Sequence, residues 1–147
     1  MTSLEEMEKR IQVLEDVEEI KKMKVRYMKA CDDHYNPEAI AALFTEDCIW
    51  SCNTDGIFHG KEELKDWFRS CNLNTSWAMH YAISPIIEVD GNTATGEWYM
   101  WMLATSVRNG ACLYAVQYED KYEKIDGQWL CKEVHVFNRI ATKYEDG

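Results

Sequence analysis

A change in hydrophobic period near Trp77 is the sequence feature that most constrains the fold. Before it, apolar residues recur every three or four positions from Leu4 to Met28, as they do in an amphipathic helix. After it the period becomes two, and Asn-Gly and Asp-Gly pairs mark hairpin turns. Helices followed by a meander of antiparallel strands predict an α+β fold, in which the helices pack on one sheet.

The same pattern predicts the individual elements. A long helix starts near residue 4 and ends near 33–35. Asp16 is a candidate N-cap that would divide it, leaving residues 1–14 as a helical extension able to pack on another subunit. Asn36 followed by Pro37 predicts the start of a short helix. A strand is predicted over 48–52, a third helix over 61–70, and four long strands over 78–89, 93–107, 112–124 and 128–140.

The second of these long strands is apolar on both faces. One face carries Trp98, Met100, Met102 and Ala104, and the other carries Tyr99, Trp101 and Leu103. An antiparallel sheet normally leaves one face in water. We therefore expect one face to line a core or pocket and the other to pack against a second copy, in a homodimer or homotrimer.

Length and charge narrow the class of protein. A chain of 147 residues is long enough for one domain over 1–147 with its own core. A formal net charge of -10 disfavours nucleic acid and anionic membrane surfaces as partners. The N-terminal residues lack the apolar stretch of a secretion signal, which predicts a cytoplasmic location with six reduced cysteines, most of them buried and none a zinc ligand.

Two segments carry a family resemblance. The run EVDGNTATGEWYMWM, the later KYEKIDGQWLCKEVHVF and the order of the elements resemble the SnoaL-like (nuclear-transport-factor-2-like) family over about residues 14–140. The resemblance implies a cystatin-like cone, with N-terminal helices on a strongly curved antiparallel sheet that has a mixed edge. This family includes dehydratases, steroid isomerases, polyketide cyclases and binding modules, so the fold leaves the chemistry open.

One branch of the family is more similar. The stretch IKKMKVRYMKACDD and the tripeptide at 79–81 resemble bile-acid 7α-dehydratases and, more distantly, scytalone dehydratase. Tyr27, Asp32 and His80 match their motif, which implies that Tyr27 and His80 act on the substrate while Asp32 supports His80. Met102 departs from an acidic residue of those enzymes, and Arg139 matches their closing arginine only after a shift of one residue.

A histidine, a carboxylate and a tyrosine are residue types that suit the elimination of water from a hydroxy-carbonyl compound. Loss of a hydroxyl β to a carbonyl needs a base for the α-proton and an acid for the leaving group, and histidine titrates near neutrality. A carboxylate on the other ring nitrogen fixes the histidine tautomer, and a tyrosine hydroxyl can donate to the carbonyl oxygen. Together with this chemistry, the resemblance implies a cofactor-independent lyase acting on a small hydrophobic, polycyclic or steroid-like hydroxy-carbonyl ligand.

Two other kinds of function stay open. The same histidine would serve a steroid-isomerase-like or polyketide-cyclase-like enzyme on the same fold. A non-catalytic ligand-binding or interaction module would instead leave Asp32 and His80 apart.

The surplus of large apolar side chains predicts an aromatic-lined pocket. The predicted substrate-binding residues are Trp50, Trp98, Met100, Met102, Tyr114, His135, Phe137 and Arg139. Arg139 would pair with a substrate carboxylate or with an acid of a helix. Each of the other residues has core packing as its alternative role.

Overall fold

The computed structural model describes residues 3–143. The helices are α1 (Leu4–Asp32), α2 (Pro37–Ala41) and α3 (Gly60–Asn74). The strands are β1 (Phe44–Cys52), β2 (Gly56–His59), β3 (Thr75–Asp90), β4 (Thr93–Ser106), β5 (Gly110–Ile125) and β6 (Gln128–Lys143). No helix in this part of the chain is long and apolar enough to cross a membrane.

Six strands form one open sheet in the order β2-β1-β6-β5-β4-β3. The four long strands make an antiparallel meander, and β1 joins β6 in parallel, so the sheet has the mixed edge that the family resemblance implied. The long strands and their turns lie where the period of two predicts them. The short strand β2 was not predicted, and β1 begins at Phe44 rather than at Cys48.

The long helix α1 is continuous, so the prediction that Asp16 divides it is wrong. Its N-cap is Ser3, which forms a capping box with Glu6. Asp16 lies inside the helix with a buried side chain, which accepts hydrogen bonds from Trp129 Nε1 at 2.9 Å and Lys124 Nζ at 2.6 Å. The carboxylate therefore ties the helix to the β5–β6 hairpin.

The core lies between the helices and the inner face of the sheet. The second half of α1 buries Ile20, Met23 and Tyr27, and β4 contributes Trp98 and Met100. The alternation predicted for β4 is confirmed, because Tyr99 and Trp101 on the other face are about half exposed.

Two bulges in β6 change which of its residues face inward. Lys132 is inserted between two register pairs, Tyr122 with Cys131 and Lys121 with Glu133. Arg139 is inserted in the same way further along the strand. Each extra residue reverses the alternation of the strand, because side chains alternate with a period of two.

A buried ion pair joins α1 to the centre of the sheet. Lys24 Nζ lies 2.6 Å from Asp120 Oδ2, and both side chains are fully buried. Tyr122 donates its hydroxyl to the same carboxylate oxygen at 2.7 Å. The ammonium group also lies 3.7 Å from the centre of the Tyr118 ring, so one polar cluster holds several aromatic rings in place.

Candidate active site

The end of α1 and the inner face of β3 bring Asp32 and His80 together. His80 Nδ1 lies 2.7 Å from Asp32 Oδ1, and the His80 backbone N–H donates to the same oxygen at 2.9 Å. The imidazole side chain is 5% exposed and the carboxylate 29%. A carboxylate acceptor at Nδ1 favours the neutral tautomer that carries its proton there, which leaves Nε2 as an acceptor.

His80 is in the wall of an aromatic-lined cavity of about 560 Å³ between the helices and the sheet. Asp32 does not line this cavity, so it contacts the imidazole from behind. Among the described lining residues, Asp55 and Arg108 are the ones with a permanent charge, and both are exposed. The arrangement suits an uncharged, largely apolar ligand beside one imidazole.

Tyr27 lines the same cavity from α1. Its side chain is 1% exposed, and its oxygen accepts a hydrogen bond from Trp50 Nε1 at 3.0 Å. Burial raises the pKa of the Tyr27 phenol well above its ordinary value, so the hydroxyl stays protonated. The Trp50 N–H uses a lone pair of the Tyr27 oxygen and not the phenolic proton. The Tyr27 O–H is therefore the group that can donate to a ligand oxygen.

Tyr35 is a site residue that the sequence analysis missed. Its ring stacks on Phe68 with centroids 6.0 Å apart and meets the His80 ring edge-on at 5.7 Å. Its hydroxyl points at Met102 Sδ, 3.8 Å away, and a thioether is a weak acceptor. A phenol that is 8% exposed therefore offers a poorly satisfied donor to the cavity beside His80.

The backbone conformation after α1 explains why Tyr35 was not predicted as a site residue. His34 and Tyr35 have φ of 52° and 49°, and the Tyr35 N–H donates to Cys31 O. The chain turns sharply there, so the ring folds back against the site instead of continuing the helical stripe. The sequence did predict that α2 starts at Asn36–Pro37, and this was the available indication of the turn. The structure confirms Asn36 as the N-cap, because its Oδ1 accepts from the Ala39 N–H.

Four predicted substrate-binding residues line the cavity. They are Trp50, Met100, Met102 and Tyr114. Trp98 is on the same face of β4, but it does not line the cavity. It is buried elsewhere in the core, where its Nε1 donates to the Tyr122 hydroxyl at 2.9 Å.

The three predicted binding residues of β6 do not line the cavity either. The bulge at Lys132 turns His135 and Phe137 to the outer face, where His135 Nδ1 lies 2.7 Å from Ser51 Oγ. Arg139 stacks over Phe137 and donates to Gln117 Oε1 at 2.6 Å. The prediction that these residues line the pocket is corrected: Val136 and Asn138 take the inward positions.

Three cysteines also line the cavity: Cys31, Cys52 and Cys71. Burial raises the pKa of the Cys31 thiol well above its ordinary value and that of Cys71 to about 12. These two thiols are therefore protonated at neutral pH and are weak nucleophiles. Among residues 3–143, no group of three or more His, Cys, Asp or Glu side chains is placed to hold a metal ion.

An open mixed sheet with helices packed beside an aromatic-lined cavity defines a cystatin-like, nuclear-transport-factor-2-like protein. The family model described as "SnoaL-like domain" matches residues 12–135, and the chain belongs to that family.

Solved structures repeat this fold at low sequence identity. A candidate scytalone dehydratase from Novosphingobium aromaticivorans DSM 12444 is 24% identical, with a TM-score of 0.82 over 90% of this chain and 89% of the other. The hexachlorocyclohexane dehydrochlorinase LinA-type3 from Novosphingobium barchaimii LL02 is 19% identical, with a TM-score of 0.81 over 90% and 92%. A protein of unknown function with a cystatin-like fold from Nostoc punctiforme is 23% identical, with a TM-score of 0.72 over 84% and 90%.

Proposed function

We propose that this protein is a cofactor-independent lyase, a dehydratase, that acts on a small apolar hydroxy-carbonyl compound of polycyclic or steroid-like shape. The observation that carries the proposal is the Asp32–His80 contact in the wall of the cavity. The names of two neighbours, a dehydrochlorinase and a candidate dehydratase, both denote eliminations. An elimination of this kind starts when a base removes a proton adjacent to the leaving group.

The proposed reaction uses one base and two hydroxyl donors. His80 Nε2 takes the α-proton, and the C–H electron pair forms an enolate whose oxygen accepts from the Tyr27 hydroxyl. The enolate then expels the β-hydroxyl group, to which the imidazolium returns the proton, so that water leaves. Asp32 stabilises the imidazolium that exists between the two steps, and Tyr35 is placed to donate to a ligand oxygen beside His80.

An isomerase or a cyclase on the same fold would begin with the same proton abstraction. The isomerase would then retain the hydroxyl oxygen, whereas the cyclase would form a new bond. A binding module is the alternative that predicts Asp32 and His80 apart, whereas the two side chains lie in hydrogen-bonding distance. That contact is our reason for preferring an enzyme.

The test is a product analysis on a panel of cyclic β-hydroxy ketones of graded size, with mass spectrometry of the products. A lyase yields a product lighter by one water, whereas an isomerase yields one of unchanged mass. The His80→Gln variant is expected to lose on the order of 10²–10⁴-fold in turnover, which is the usual contribution of a general base.

His135 provides a matched control, because it also lies on a strand next to a carboxylate, with its Nε2 3.1 Å from Glu133 Oε2, and it faces away from the cavity. The His135→Gln variant should turn over at the wild-type rate. Equal effects of the two substitutions, or no product from any compound of the panel, would contradict the proposal.

We also propose that the outer face of the sheet forms a contact between copies of this chain. Trp77, Tyr81, Tyr99 and Trp101 lie side by side on β3 and β4 and are 44–53% exposed. Aromatic side chains are enriched at the centres of protein interfaces, and contiguous apolar patches on a sheet rarely stay in water.

A further inference from the structure

The two halves of α1 differ in what surrounds them. From Asp16 onward the helix packs on the sheet, whereas every residue from Ser3 to Glu15 is exposed. This outer segment of α1 (residues 4–15) is about 18 Å long at 1.5 Å per residue. It carries five large apolar side chains in water, of which four share one face: Leu4, Met7, Ile11 and Leu14 are 69%, 45%, 56% and 69% exposed. The fifth, Val13, is 42% exposed and lies off that face.

These four residues form a stripe with heptad spacing. Successive members are three, four and three positions apart, which is the pattern of the a and d positions of a coiled coil. At about 100° per residue, Leu14 lies roughly 160° and Met7 roughly 180° around the helix from buried Asp16. The stripe therefore lies on the side of the helix opposite Asp16, and the domain to which the helix belongs leaves it exposed.

The charges beside the stripe indicate which partner fits it. With Leu4 at position a, Arg10 occupies position g, while Glu8 and Glu15 occupy the two e positions. In a parallel pair of identical segments, Arg10 of each helix faces Glu15 of the other, which is attractive. In an antiparallel pair, Glu8 faces Glu15 and the contact is repulsive. Charge complementarity thus favours a second copy in parallel orientation.

We propose that the outer segment of α1 pairs in parallel, and in register, with the same segment of a second copy of this chain. Like residues of the stripe then meet across the pair, Leu4 with Leu4 and Ile11 with Ile11. The capping box at Ser3 and the Lys9–Glu5 ion pair of 2.8 Å keep the segment helical where it does not contact the sheet. This contact is separate from the outer sheet face and does not depend on the proposed reaction.

Disulfide formation tests the pairing on the full-length chain. In a parallel pair, Ile11→Cys places two thiols against each other, and so does Met7→Cys. Lys9→Cys is the matched control, because Lys9 is in the f position, is solvent-exposed and lies between the two test positions. In a glutathione redox buffer, both test variants should form a covalent dimer on a non-reducing gel. Lys9→Cys should stay at the wild-type background set by the six native cysteines.

Two results would overturn the proposal. One is that Ile11→Cys forms no more covalent dimer than Lys9→Cys. The other is that a dimer forms only when Met7→Cys and Ile11→Cys proteins are mixed, since that indicates antiparallel helices. As a second measurement, the double variant I11D/L14D should show a lower molar mass by light scattering than wild type, whereas Lys9→Asp should not. All three positions are exposed, so circular dichroism should report an unchanged fold.

Discussion

Replacing Lys24 with methionine would leave the Asp120 carboxylate alone in the core. Both side chains of the pair are fully buried, and Asp120 Oδ1 has no hydrogen-bond partner among the described residues. Breaking such a pair by removing one partner costs about 3–5 kcal/mol, because the remaining charge is uncompensated. The Lys24→Met variant can avoid that charge only if the carboxyl group takes up a proton on folding.

The cost of protonation makes the effect depend on pH. A free carboxyl group of aspartic acid titrates near pH 4, so holding it protonated costs about 4 kcal/mol at pH 7 and about 1.5 kcal/mol at pH 5. The sign follows from linkage: the folded variant binds one more proton than the unfolded chain, so its stability falls as pH rises. Lys24→Met should therefore lose roughly 4 kcal/mol at pH 7 and far less at pH 5.

Urea unfolding at fixed protein concentration, followed by tryptophan fluorescence, measures these differences. The double variant K24M/D120N keeps an acceptor for Tyr122 and removes both charges, so it should be more stable than Lys24→Met at pH 7 and lack the added pH dependence. A loss of less than about 1 kcal/mol for Lys24→Met at pH 7, or an equal loss at both pH values, would show that Asp120 is not left as an uncompensated buried charge.

Three further predictions concern other parts of the molecule. Burial alone would raise the pKa of Asp16, but hydrogen bonds from its neighbours outweigh this and hold the pKa below its usual range. Its stabilisation is present above pH 4 and lost as pH falls, so Asp16→Asn should cost about 1.5–3 kcal/mol at pH 7 and progressively less below pH 4 in urea unfolding. Trp101→Glu, on the outer sheet face, should lower the molar mass measured by light scattering, and an unchanged mass would remove that face as an interface. Trp50→Phe removes the N–H donor to Tyr27 and should slow turnover by up to about tenfold. Trp98→Phe removes an equivalent donor outside the cavity and should leave turnover unchanged, so equal effects would exclude the role of Tyr27 as a donor.

Hydrophobic periodicity was sufficient to predict most of the fold. The change of period near Trp77, the Asn-Gly and Asp-Gly turns and the Asn36–Pro37 start of α2 are local features, and each depends on residues a few positions apart. What the periodicity could not show is an inserted residue. The bulge at Lys132 reverses the alternation of β6, and for this reason His135 and Phe137 were predicted to face the wrong way.

The same limit applies to the candidate site, whose residues are brought together by long-range contacts that periodicity does not show. Asp32 and His80 are 48 positions apart, and only the family resemblance suggested that they meet. Tyr35 was missed because its position depends on two left-handed residues at the end of α1. The Lys24–Asp120 pair was missed because a lysine within the helical segment looks like part of its solvent face until the sheet is in place.

The proposed role of His80 as the base can be checked without a substrate, from which ring nitrogen carries the proton. In the proposed mechanism, Asp32 holds the proton on Nδ1 and leaves Nε2 free to act as a base. Nitrogen NMR of protein labelled with ¹⁵N-histidine, assigned with His80→Gln, should show neutral His80 protonated at Nδ1, and Asp32→Asn should abolish this preference. A neutral His80 that carries its proton on Nε2 in the wild-type protein would contradict the proposed mechanism.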